Sequence, residues 1–197
     1  GVNVTGALTV NGAAVGGGTW EVLGTTNFSS SAANYSEDTG WTTDYTEVKC
    51  VFSYLTRSSS SNVNSSLNMK FYLADSYGGN GTLNSTGNAY RYSNVYRDAD
   101  SSAENTQHDN SNRWEIFNGF SAMYWSGEIT FRIPPIVPTR SIYKGATGKI
   151  EQENSIGDNY CINTSSGSKV IVGARLYEGG GNNFVSGRVT WYGLKYA

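Results

Sequence analysis

Five runs of this chain alternate apolar and polar side chains at every second residue, and no long segment repeats at the helical spacing. In 47–54, Val48, Cys50, Phe52 and Tyr54 share one face, and Glu47, Lys49 and Ser53 the other. In 67–74, Leu67, Met69, Phe71 and Leu73 oppose Asn68, Lys70 and Tyr72. In 126–133, Ile129, Phe131 and Ile133 oppose Glu128, Thr130 and Arg132. In 168–177, Val170, Val172, Ala174 and Leu176 oppose Lys169 and Arg175, and in 185–194, Val189 and Trp191 oppose Arg188, Thr190 and Tyr192. A strand with one dry face must cover that face with a second sheet. The pattern predicts an all-β fold, an antiparallel β-sandwich.

Composition narrows the alternatives. Charged residues make up 15% of the 197 positions and aromatic residues 13%, with 24 glycines. Low charge with abundant Tyr, Ser, Asn and Gly suits strands and turns and argues against a helical bundle. The aromatic and β-branched content excludes disorder of the whole chain. No apolar run of about 18 residues exists to span a membrane as a helix. No basic segment precedes an apolar one as in a signal peptide. The chain opens on Gly1 rather than Met, as a fragment or processed product would. Lys and Arg are scattered singly and the net charge is −2, so nucleic acid is not an expected partner.

Two segments are expected. Residues 1–18 carry no charged side chain; Val2, Val4, Leu8 and Val10 alternate between glycines, and Gly16–Gly18 reads as a joint. Such an arm is too short to bury its own apolar side and needs a partner. Residues 19–197 form the globular head. Within it, 58–66, 76–88 and 98–112 read as long polar loops, as does the stretch from Tyr96 to Gln107. All three prolines fall in 133–138, which reads as extended chain outside a central strand. Gly179–Gly181 reads as a hairpin turn before the last strand.

Catalytic and metal-binding patterns are weak. The single histidine, His108, has no second element to orient it and reads as an exposed loop residue. Glu37, Asp38, Glu115, Glu128, Glu151 and Glu153 could supply a glycosidase pair, but read as solvated carboxylates. Asp98, Asp100, Glu104 and Asp109 offer oxygen ligands for Ca²⁺ without the EF-hand spacing. No catalytic, cofactor or metal residue is assigned, and no enzymatic activity is expected. Cys50 and Cys161 sit among apolar, strand-like residues and read as buried thiols rather than a disulfide. Asn27, Asn64, Asn84 and Asn163 open N-x-S/T triplets, which an Asn- and Ser-rich chain produces by chance. Five tryptophans exceed what one small core is expected to hold, so Tyr90, Tyr92 and Trp125 stand as candidates for stacking on sugar rings or for an interface.

Two features together resemble a family. The opening VTGALTVNGAAVGGG resembles the glycine-punctuated shaft segments of bacteriophage fibre proteins. The segments TWEVLGTTNFSSSAANYS, VKCVFSYL, LNMKFYLADSYGG, AYRYS and WSGEITFRIPP resemble the β-sandwich heads of tailed-phage virion proteins. So does the ending, with Asn183–Phe184, Ser186–Gly187, a strand, then Tyr192–Gly193–Leu194. The resemblance implies a jelly-roll-like head, a homotrimer and a non-enzymatic structural role on a virion. The head would contact the host surface and its glycans, and the arm would join other virion proteins. Two alternatives are a capsid decoration or head-fibre protein that stabilises the shell, and a secreted carbohydrate-binding module.

Overall fold

The structure is a computed structural model. It describes residues 9–10, 13–14, 18–29, 34–57, 66–79, 81–98, 104–118, 124–134, 145–152, 155–163, 169–180 and 182–195. The expected alternation at Val2, Val4 and Leu8, and most of the serine-rich and proline-rich stretches, lie outside them.

The chain is all-β and antiparallel, as the alternation predicts. Strands β1 (Thr9–Val10) and β2 (Ala13–Ala14) pair only with each other. An eight-stranded sheet runs in the order β3, β15, β5, β11, β12, β13, β8, β9. Its members are β3 (Trp20–Phe28), β5 (Tyr45–Arg57), β8 (Tyr90–Asp98), β9 (Glu104–Ser111), β11 (Tyr124–Arg132), β12 (Gly145–Gln152), β13 (Ser155–Asn163) and β15 (Phe184–Lys195). A smaller sheet runs β10 (Trp114–Asn118), β6 (Ser66–Ala74), β14 (Val170–Glu178), β4 (Tyr35–Thr39), with β7 (Thr82–Leu83) on β6. The larger sheet curls as a half-barrel, and one apolar core fills the space between the sheets.

Four of the five tryptophans, Trp41, Trp114, Trp125 and Trp191, are buried in that core, and only Trp20 is exposed. The five do not all share one core, as expected, but Trp20 alone is left out of it. Facing sheets offer an aromatic layer rather than a point-like centre. Trp41 packs on Phe131 at 4.9 Å between ring centroids, and Phe71 meets Phe131 edge-on at 5.6 Å. Arrangements of this kind contribute about 0.5–1.5 kcal/mol per pair beyond the area buried.

Polar side chains close both seams between the sheets. On one side, Tyr96 donates its hydroxyl to the Ile116 carbonyl at 3.0 Å, and Asn94 donates its amide to the Glu115 carbonyl at 2.6 Å. These bonds fasten β8 to β10. On the other side, Ser36 of β4 shares a hydrogen bond with Thr26 at 2.9 Å and accepts from Trp191 Nε1 at 3.1 Å.

Three sequence expectations are revised. The polar stretch 98–112, expected as a loop, contains the end of β8 and β9, which pair from Tyr90–Ser111 to Tyr96–Glu104. An edge strand covered on one flank needs little apolar content, so period two is invisible there. The glycine turn after β14 is not a hairpin, because β14 and β15 belong to different sheets and the turn carries the chain between them. Tyr54 leaves the core face its spacing assigns. A left-handed backbone, φ 51°, accompanies a register shift in β5 and turns the ring out to 65% exposure.

Candidate binding site

The sugar-stacking candidates are not on the surface. Tyr90, Tyr92 and Trp125 are all buried, which overturns that reading of them. On β8 every second residue points inward, and Tyr90 spends its hydroxyl on the smaller sheet. It accepts from the Phe71 amide at 2.8 Å and donates to the Asn84 carbonyl at 3.0 Å. Burial pushes its ionisation far above the ordinary tyrosine range.

Asp38, expected to be solvated, instead buries its Oδ2 beside the core on β4, and the other described candidate carboxylates divide between two opposite faces. Glu37 and Glu115 stand on the outer side of the smaller sheet, in ion pairs with Arg175 and Arg113. Glu128 and Glu151 are exposed on the larger sheet, with Glu128 at 3.2 Å from Lys49. Glu153 lies outside the described residues. His108 falls in β9 opposite Tyr92 rather than in a loop; its side chain lies outside the described parts, as do the side chains of Asp98, Glu104 and Asp109 and the whole of Asp100. Among the described residues, no three His, Cys, Asp or Glu side chains gather as a metal would require. Asn84 and Asn163 are buried, which suits chance occurrence of their triplets. Cys50 and Cys161 are free and buried, and burial drives both thiols well above their ordinary ionisation range.

The larger sheet turns a patterned face to solvent. Register places its outward residues in rows across the strands. One row runs Val51, Glu128, Lys149, Asp158. The next runs Lys49, Thr130, Thr147, Tyr160, Ser93. Beyond it, Glu47 stands opposite Arg132, and Gly145 opposite Ile162. Opposite charges meet along these rows, so the face carries little net charge.

Two depressions lie in it. A recess of about 740 Å³ is lined by Glu47, Thr130, Arg132, Gly145, Tyr160 and Ile162 among others, and extends to Ile133 and Pro134 at the rim. A smaller one of about 300 Å³ holds Glu128, Lys149 and Asp158. They share Thr130, Thr147 and Tyr160, and so form one trough with the Tyr160 ring, 56% exposed, between its two parts. At its edge Gly145 packs closely against β13. A Cβ there would stand 3.2 Å from Ile162 Cγ2 and 2.5 Å from the Cys161 carbonyl oxygen. An aromatic plate flanked by threonine hydroxyls and balanced charges can stack on an apolar ring face while hydrogen-bonding the groups around it. Aromatics continue along the same sheet: Trp20 lies 5.3 Å from Lys49 Nζ, and Tyr54 stacks on Tyr124 at 4.9 Å.

Sequence reasoning missed Tyr160 because β13 hides its alternation. Its inward positions include Asn159, Cys161 and Asn163, all buried, so the core face reads as polar. The isolated apolar cysteine between two asparagines was the available signal.

No family model, curated protein or solved structure matches this chain.

Proposed function

We propose that this chain is a non-enzymatic structural protein of a bacteriophage particle: a trimeric, jelly-roll-like head that contacts neutral sugars of the host surface through the Tyr160 trough. The trough carries the reading, because it offers a ring-stacking plate, hydroxyls and paired charges. The edge of the larger sheet supports assembly. From Val22 to Phe28, β3 has no charged residue, and Val22 is 61% exposed. A long edge without charges is suited to pairing with another subunit. The residue patterns that resemble those of phage fibre heads support the same reading, with the uncharged arm joining the particle.

The test pairs light scattering of the full chain with binding to neutral polysaccharides from bacterial surfaces. The expected result is a trimer whose binding drops about tenfold in Tyr160→Ala, as loss of an aromatic stacking contact predicts. A monomer would remove the fibre-head reading. A trimer that ignores sugars but binds purified empty capsids would make it a decoration protein instead.

A further inference from the structure

The outer face of the smaller sheet breaks the charge balance kept on the larger one. Arg175 of β14 stands directly opposite Lys70 of β6. Arg113 comes alongside from the other flank, since its neighbour Trp114 is opposite Met69. Like charges facing across a ladder are destabilising. Both arginines, after burial, hold the Lys70 ammonium below its ordinary range.

The carboxylates nearby pair with the two arginines and leave Lys70 without one. Glu37 is turned to Arg175: its Oε2 accepts from Arg175 Nε at 2.6 Å and from the Tyr72 hydroxyl. Glu115 sits 3.7 Å from Arg113. Lys70 has no carboxylate within 4.0 Å among the described residues; its ammonium donates to Ser85 Oγ at 3.2 Å and lies 5.8 Å from the centre of the Tyr177 ring. Arg175 directs Nε and Nη2 to Glu37 and Tyr72, which leaves Nη1 without an acceptor among the described residues. Two neighbouring cations on one sheet face therefore keep unused donors among the described residues. Aromatic rings flank them: Arg175 lies over Tyr35 at 4.4 Å, and Tyr35 is 37% exposed.

We infer that Lys70, Arg175 and Arg113, with Tyr35 and Tyr177 beside them, form a binding site for the carboxylate of an acidic sugar. The cations hold the anion, and the rings flank the sugar body. Charge complementarity selects the ligand: a neutral sugar leaves the repulsion between Lys70 and Arg175 in place, whereas an anion removes it. The inference stands apart from the Tyr160 trough, which lies on the other sheet.

The experiment is an amide NMR titration of the full chain with sodium glucuronate, and with glucose, sodium chloride and inorganic phosphate as comparisons. Saturable shifts at Lys70, Arg175 and Tyr177 are expected with glucuronate and not with glucose or chloride. Lys70→Gln should weaken glucuronate at least about tenfold, the ratio that 1.4 kcal/mol represents, without lowering the melting temperature. Lys70→Arg should retain binding. Equal shifts with sodium chloride, saturation by phosphate alone, or undiminished binding by Lys70→Gln would each overturn the assignment.

Discussion

Replacing Asp38 by Asn should stabilise the protein, and only above acid pH. Asp38 lies on the five-residue edge strand β4, opposite Ala174. Its Oδ2 is buried without a hydrogen-bond partner. Burial pushes the carboxyl from 3.8 up to about 6, against smaller opposing effects of the Trp41 indole and the Thr39 backbone. The nearby Trp41 Nε1 has no bond of normal geometry. Below pH 3.8 the group is protonated in both folded and unfolded chains and contributes nothing. Between 3.8 and about 6 the folded chain holds the proton that the unfolded chain has lost, so stability falls as pH rises. Above 6 the full cost of the buried anion is present. The displacement corresponds to about 3 kcal/mol at 1.36 kcal/mol per pKa step; solvent screening of the partly exposed group reduces this to about 1.5 kcal/mol. Urea unfolding of native protein and Asp38→Asn from pH 3.5 to 8 checks it, since the other carboxylates cancel in the difference. The expected gain is near zero at the acid end and reaches a plateau above pH 7. A gain independent of pH, or none at pH 8, would refute the reasoning.

Gly157→Ala should destabilise by about 1–3 kcal/mol, because the new Cβ would stand 2.7 Å from the Tyr96 ring and displace the hydroxyl that reaches Ile116; thermal melting reads the loss. Both thiols should resist a disulfide reagent in the native protein and titrate as two equivalents after denaturation, since Cys50 and Cys161 are buried and free. A fast-reacting thiol under native conditions would contradict their place in the core.

Strands with a clean dry face were legible from spacing alone. Val48, Cys50 and Phe52, and Leu67, Met69 and Phe71, lie in the core as their alternation requires. Strands whose inward face is polar were not. β4 points Ser36 inward, β8 points Asn94 inward, and β13 points Asn159 and Asn163 inward. Hydrogen bonds formed only after the sheets meet make Ser36 and Asn94 tolerable there, and no local pattern encodes those partners. The same blindness misplaced the site. Aromatics clustered at Tyr90 and Tyr92 attract attention in sequence, yet pairing sends them inward, while the solitary Tyr160 becomes the exposed plate. Tyr54 shows the converse, since a single left-handed residue reversed the face that spacing assigned.

The two outer faces share one architecture and differ in how charges pair across strands, and that difference is measurable. On the larger sheet Lys149 stands between Glu128 and Asp158, and Lys49 pairs with Glu128, so a ligand in the trough meets balanced charges. On the smaller sheet Arg175 and Lys70 are opposite one another, and Lys70, Arg175 and Arg113 outnumber Glu37 and Glu115 by one charge. Raising salt from about 0.1 M to 1 M shortens the screening length from about 10 Å to about 3 Å. Neutral-sugar binding at Tyr160 should hardly respond, whereas glucuronate binding beside Lys70 should weaken severalfold over that range. If both weaken in parallel, the trough is not charge-balanced in solution and its ligand is not selected by stacking and hydroxyl contacts. If neither weakens, the cations beside Lys70 do not hold the carboxylate, whatever the ring contacts contribute.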